Sequence, residues 1–242
     1  MISVIIPAHN EEQTVGDVVR GVRGALAGRA DAEILVVDDG STDNTAREAA
    51  LAGATVLKRP RIQKGRAVRA GLAAARGDVI VLMDSDGQDV PAELPQLLAA
   101  MRSTGADLIS GSRFAGRFAE HGITGVDYWG NKCLTGLANI LHGARLNDIN
   151  ASYRVFRASA IRNISWDCTE FEVESEMILK AWRAGLAIQE VPVTRQRRLG
   201  GIRKFRKLRH GTRIFMTILK VRFLWRPPVR HSAHPAGTKG AV

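Results

Sequence analysis

Cysteine is nearly absent: the 242 residues contain only Cys133 and Cys168. Their separation matches neither a zinc motif nor a disulfide framework, so a stapled scaffold is excluded and a reducing compartment is expected. No Gly-x-Gly-x-x-Gly follows the first apolar run, which argues against a dinucleotide-dependent dehydrogenase. Aromatic residues make up only 5% of the chain and do not interleave with basic ones as in an RNA-binding strand. No apolar run approaches the roughly 20 residues needed to span a bilayer. The best candidate, residues 214–225 (IFMTILKVRFLW), is short and is interrupted by Lys220 and Arg222. Met1, Ile2 and Ser3 lead straight into an apolar strand, with no basic leader or cleavage site, which predicts a cytoplasmic protein.

Acidic residues are missing from one end. From Arg195 to Val242 there are 14 Lys or Arg and no Asp or Glu, while residues 1–194 hold the other 21 basic residues and all 24 acidic ones. The net charge of +11 therefore belongs to the tail. Such a tail calls for an anionic partner: a membrane surface, a lipid phosphate or nucleic acid. Its amphipathic pattern favours a helix lying flat on a membrane, with a helix packed on its own domain as the plain alternative. The expectation is peripheral attachment to the inner face of the cell membrane, without nucleic-acid binding.

Between these absences the chain has the size of one domain with a substantial core. Apolar runs at Ile2–Ile6, Glu33–Val37, Thr55–Leu57, Val79–Met83 and Leu108–Ser110 predict buried strands. Val15, Val18, Val19, Val22 and Leu26 form a helical stripe; Lys64–Ala75, Pro91–Met101 and Tyr128–Leu141 also predict helices. Alternation of strand and helix predicts an α/β fold, a Rossmann-like, mostly parallel sheet with helices on both faces. The expected boundaries are a domain over 1–210 and a basic amphipathic tail over 211–242.

Ligands in such sheets bind beyond the carboxyl ends of the strands, where three polar loops occur. These are Pro7-Ala-His9-Asn-Glu11-Glu12, Asp38-Asp39-Gly-Ser41-Thr42-Asp43 and Asp84-Ser-Asp86-Gly-Gln88-Asp89. Asp84 and Asp86, two apart at a strand end, can reach one hard cation such as Mg²⁺ or Mn²⁺. Turn preference explains an isolated Asp-x-Asp equally well, and helix capping explains Ser41 and Thr42. Acidic residues before a first helix suit Glu11 and Glu12. Three acidic corners in succession are a much stronger signal than any one of them.

PAHNEE, DDGSTD and DSDGQD resemble the successive signatures of family 2 glycosyltransferases of GT-A fold. Gly111-Ser-Arg113, Gly130-Asn131, Asp148 to Phe156, Phe171 to Met177, Glu190 to Val193 and Arg198 to Lys204 are similar to segments of the polyprenyl-phosphate, dolichyl-phosphate mannose synthase-like branch. The likeness covers roughly residues 1–210. It implies that Pro7, His9, Glu11, Val37 and Asp39 hold the nucleoside of a GDP- or UDP-linked sugar donor. Asp84, Asp86 and Gln88 would serve Mg²⁺ or Mn²⁺ and the diphosphate, with Asp84, Asp86 and Arg198 as the catalytic set. Arg198 would clamp the donor phosphate, Lys204 would bind substrate in the closing loop, and Arg113 would face a polyprenyl-phosphate acceptor. Transfer would invert the sugar carbon. Three positions depart from the pattern: His9 stands where Tyr is common, Tyr153 where Phe usually follows Gly, and Arg203 where Ser is usual.

An anionic lipid phosphate would need no strong base, whereas a hydroxyl acceptor (a sugar, a glycerol derivative or another small molecule) would make Asp148, Glu174 or Glu176 the candidate base. A non-enzymatic module for anionic lipid or nucleic acid is the remaining alternative.

Overall fold

A computed structural model of the chain describes residues 1–27, 29, 31–114, 125–198, 200 and 205–228. The strands are β1 (Ile2–Ala8), β2 (Ala32–Asp39), β3 (Thr55–Arg59), β4 (Val79–Leu82), β5 (Leu108–Ser112), β6 (Arg154–Arg157) and β7 (Ile188–Pro192). The helices are α1 (Val15–Ala25), α2 (Thr45–Leu51), α3 (Lys64–Ala74), α4 (Leu94–Thr104), α5 (Gly125–His142), α6 (Ala158–Ile161), α7 (Val173–Arg183) and α8 (Lys207–Phe223), with a 3-10 turn at Pro91–Glu93.

The seven strands form one sheet in the order β3-β2-β1-β4-β6-β5-β7. β1 pairs in parallel with β2 and β4, β2 with β3, and β5 with β7. β6 is antiparallel to both β4 and β5. Parallel strands are buried on both sides, so they read as continuous apolar runs while successive side chains still alternate between faces. Ile5, Leu35, Val37, Ile80 and Leu82 point into the core beneath α3, α7 and α8. Their neighbours Val4, Ile6, Ile34, Val36, Val81 and Met83 point into the opposite core, closed by α1, α2 and α4. Each large aliphatic side chain buried this way contributes about 1.5–3 kcal/mol before the entropy of ordering it is subtracted. The α1 stripe read from the sequence, Val15 to Leu26, lies wholly in the second core. Gly105, at φ 69°, ends α4 in the left-handed conformation that favours glycine.

Two features depart from the sequence reading. β6 was not expected as a strand: at four residues, with arginine at both ends, it is too short to show a period. Its reversed direction pairs Arg154 with Leu82, so the segment just before β6 emerges at the edge where β1, β2 and β4 end. Second, α8 runs through residues 210 and 211 and packs on α5 and α7, burying His210, Ile214, Thr217, Ile218 and Val221. Its outward side keeps Leu208, Phe215, Met216 and Phe223 exposed, followed by exposed Leu224. The helix is thus docked on the body and also presents an apolar strip to its surroundings. Among the described residues no helix is long and apolar enough to cross a membrane.

Candidate active site

The three acidic corners converge. Pro7, His9, Glu11, Asp39, Asp84, Asp86 and Gln88 line one cavity of about 760 Å³ at the carboxyl edge of the sheet, within the usual size of a small-molecule site. Arg113 and Arg198 line the same cavity. Val37 does not: its side chain is fully buried in the core against Gly71. Lys204 and Arg203 lie outside the described residues.

Short polar contacts tie the corners together. The Asn10 N–H donates to Ser41 Oγ at 3.0 Å, the Thr42 N–H to Asn10 Oδ1 at 2.8 Å, and the Glu11 N–H to Thr45 Oγ1 at 2.8 Å. Thr14 Oγ1 donates to the Ser85 carbonyl at 2.8 Å and Ser85 Oγ to the Pro7 carbonyl at 2.9 Å. Ser41 and Thr42 therefore join two loops and do not cap α2, whose N-cap position is Asn44. Asp43 instead accepts the Thr45 N–H at 3.0 Å.

Asp39 is 2% exposed and fully engaged. Its Oδ1 accepts the Ile62 N–H at 2.5 Å and the Gln63 N–H at 3.0 Å, and its Oδ2 is paired with Arg61. Residues 60–63 can arch over the end of β2 because Gly40, at φ 66°, carries no Cβ; one built there would lie 2.7 Å from the Arg61 nitrogen.

The Asp84 corner is held by cations that the sequence did not reveal. Lys64 Nζ lies 2.7 Å from Asp84 Oδ1 and 2.5 Å from Glu174 Oε1. Arg195 approaches Asp84 Oδ2 at 3.5 Å, Asp89 Oδ1 at 2.6 Å and Gln88 Oε1 at 3.1 Å. Against the desolvation of burial, Lys64 and then Arg195 hold the Asp84 carboxyl well below the usual carboxylate range. Asp86 is pushed the other way, by burial first and then by the charge of Asp84. Its Oδ1 accepts the Gln88 N–H at 3.1 Å, and its Oδ2 accepts Arg198 Nη1 at 2.9 Å. The same guanidinium pairs with Glu11.

Oxygen-only side chains with guanidinium groups already standing as counter-cations suit a hard divalent ion. Among the described residues no group of three or more His, Cys, Asp or Glu side chains surrounds one point. Asp84, Asp86 and Gln88 would thus hold Mg²⁺ or Mn²⁺ only with phosphate oxygens completing the shell, a common arrangement for Mg²⁺.

Just after β5, Arg113 Nε and Nη2 grip Asp148 Oδ2 and Oδ1 at 2.6 and 2.8 Å. Asn131 Nδ2 donates to the same carboxylate at 2.8 Å. Asp148 is completely buried, and although burial opposes ionisation, Arg113 draws its carboxyl below the ordinary value. Arg113 keeps 18% of its side-chain exposure and lines the cavity. The three candidate bases now separate. Asp148 is locked on Arg113, and Glu176 accepts the Asp167 and Cys168 N–H groups and pairs with Lys180. Glu174 lines the cavity, and burial, with Asp84 nearby, raises its carboxyl above the ordinary value despite Lys64.

Acidic corners, arginines and a lysine thus line one cavity at the carboxyl edge of an open α/β sheet, the place where such sheets carry their ligand sites. Residues 3–165 match the family model described as Glycosyl transferase family 2, and the chain belongs to that family. It is a glycosyltransferase of family 2. A polyprenol monophosphomannose synthase of Mycolicibacterium smegmatis is 35% identical over 83% of this chain and 79% of its own length. A low-salt glycan biosynthesis hexosyltransferase of Haloferax volcanii is 34% identical over 82% of this chain, which spans only 48% of that relative. The glucosyl-3-phosphoglycerate synthase of Mycobacterium tuberculosis, solved with Mn²⁺, uridine diphosphate and glucosyl-3-phosphoglycerate, superposes with a TM-score of 0.71 at 26% identity, covering 92% of this chain and 80% of that one.

Proposed function

We propose that the chain transfers a hexosyl group, with inversion, from a GDP- or UDP-linked sugar to a polyprenyl phosphate at the inner face of the cell membrane. The observation that carries this reading is the second anion site. Arg113, pinned by Asp148, lines the same cavity as Asp84 and Asp86 but follows β5, which β6 separates from β4 in the sheet. A rigid guanidinium whose orientation is fixed by a buried carboxylate suits an acceptor phosphate.

The donor nucleoside would sit against Pro7, His9, Glu11 and Asp39. A divalent ion bound at Asp84, Asp86 and Gln88 would neutralise charge on the departing diphosphate. Arg198 adds a second cation there, stabilising that charge most as it develops. Arg113 holds the acceptor phosphate so that an anionic oxygen forms the new bond to the sugar carbon while the bond to the diphosphate breaks on the opposite face. That nucleophile is already ionised near neutral pH, so no side chain need remove a proton. The membrane reading draws on α8, whose outward Leu208, Phe215, Met216 and Phe223 lie on a helix without acidic residues and with Lys207 and Leu208 at the cavity rim.

Glu174 supports a second reading, transfer to a hydroxyl, because it is the candidate base that both lines the cavity and has a raised pKa. Radiolabelled nucleotide-sugars incubated with polyprenyl phosphate, with and without EDTA, separate the two. Label entering the organic phase only without chelator is the expected result. Label confined to water-soluble product would replace the lipid acceptor with a hydroxyl one.

A further inference from the structure

Arg198 poses a conflict within its own site. The donor reading directs its guanidinium at a diphosphate, yet it lies on Asp86, a carboxylate that would receive the metal, and on Glu11. Nη1 donates to Asp86 Oδ2 at 2.9 Å, Nη2 meets Glu11 Oε1, and Nε donates to the Gly200 carbonyl at 2.6 Å. Both carboxylates are largely buried, with side-chain exposures of 12% for Asp86 and 5% for Glu11, and Arg198 itself is 21% exposed. The other oxygen of Asp86 is taken by the Gln88 N–H.

We propose that Arg198 is an exchangeable counter-ion: it occupies Asp86 Oδ2, a carboxylate oxygen the divalent cation would use, and rests against Glu11 until metal and nucleoside diphosphate arrive together and draw it onto the phosphate. The proposal rests on reading Asp86 as the metal-binding carboxylate. A dication coordinated by Asp86 would lie within a few ångströms of the guanidinium in a screened but partly desolvated pocket, so the two cations exclude each other. Metal alone must eject Arg198 with nothing to receive it. Metal with diphosphate supplies a new anion for the fork, and the arginine moves from one charge-assisted pair to another. Binding of the two ligands is therefore cooperative, and each strengthens the other by the same factor.

Arg195 and Lys64 are built differently. Arg195 is shared among Asp84, Asp89, Gln88 and Ser152, and residues 89 and 195 are also joined by a β-bridge. Lys64 is clasped between Asp84 and Glu174 from the first turn of α3. These two hold the corner in place, whereas Arg198 is hydrogen-bonded, among the described residues, to the two carboxylates and a carbonyl of its own loop.

The test measures Mn²⁺ affinity by electron paramagnetic resonance on the full chain, alone and with UDP or GDP, for wild type, Arg198→Gln, Arg198→Lys and Asp86→Asn. Without nucleotide, Arg198→Gln should bind Mn²⁺ roughly tenfold more tightly than wild type, the size of one lost charged hydrogen bond. Arg198→Lys, whose ammonium cannot fork across both carboxylates, should fall between. The gain in Mn²⁺ affinity on adding nucleotide should be smaller in Arg198→Gln than in wild type. If both Arg198 variants leave nucleotide-free affinity unchanged or weaker while Asp86→Asn abolishes binding, the counter-ion role is wrong and the metal site stands. If Asp86→Asn binds Mn²⁺ as well as wild type, or no protein binds it with either nucleotide, the metal reading itself falls and takes the proposal with it.

Discussion

Replacing Lys64 by methionine removes the cation that Asp84 and Glu174 share and leaves two carboxylates facing each other in a poorly hydrated corner. Breaking a buried ion pair costs about 3–5 kcal/mol. Lys64 retains 18% and Asp84 15% of their side-chain exposure, so some water can re-enter and the low end, about 3 kcal/mol, is expected. For a chain of this length that lowers Tm by roughly 6–12 °C. The pH dependence identifies the cause. In wild type the Asp84 carboxyl lies below its ordinary value, so its share of stability is complete at neutral pH and is lost only as the pH falls towards its lowered pKa. In Lys64→Met, burial and mutual repulsion raise both carboxyls, so the folded state takes up protons before the unfolded chain does. The variant should then gain stability as the pH falls from about 7 to about 5, closing part of its deficit. Adding Glu174→Gln should recover part of the loss at pH 7. Urea unfolding at several pH values reads all of this. A deficit below about 1 kcal/mol at neutral pH, or one that widens on acidification, would refute the reasoning.

Three further outcomes follow from the geometry. Asp86→Asn should unfold near the wild-type temperature, because the change is nearly isosteric, while sugar transfer drops by roughly two orders of magnitude or more; a rate near wild type would remove Asp86 from the chemistry. Tyr153→Phe should match or exceed wild type in Tm, because the buried Tyr153 hydroxyl has no hydrogen-bond partner among the described residues; a fall of several degrees would show that the hydroxyl is satisfied. Phe215→Ser with Phe223→Ser, both outward on α8, should weaken sedimentation with anionic vesicles by roughly 10–100-fold while leaving the far-ultraviolet circular dichroism unchanged. Equal sedimentation would move the membrane contact elsewhere.

The first half of the fold was legible because β1, β2 and β4 are continuous apolar runs that end abruptly in acidic turns, and a strand's period needs no partner to be seen. The convergence of those turns follows from parallel order alone. What escaped the pattern depends on distant pairing. Lys64 meets Asp84 across 20 residues and Arg195 meets it across 111, and nothing local marks either base as anything but a solvated charge. An arginine in a stretch with no acidic neighbour must seek partners elsewhere in the fold, and in hindsight that is the signal Arg195 offered. Val37 shows the converse: the resemblance names its position, but the alternation of β2 turns its side chain into the core.

The reversed strand β6 has a consequence for how such a scaffold can change. Because it runs against its neighbours, the stretch that precedes it delivers Asn150 and Ser152 to the cavity that Asp84 lines from β4, with Asp148 buried behind them holding Arg113. Rewriting residues 143–150, short of the Ser152 that meets Asp89 and Arg195, would thus reshape the surroundings of Arg113 and leave the turns after β1 and β2 as they are. If Arg113 receives the acceptor as proposed, one connection sets which acceptors the scaffold can take.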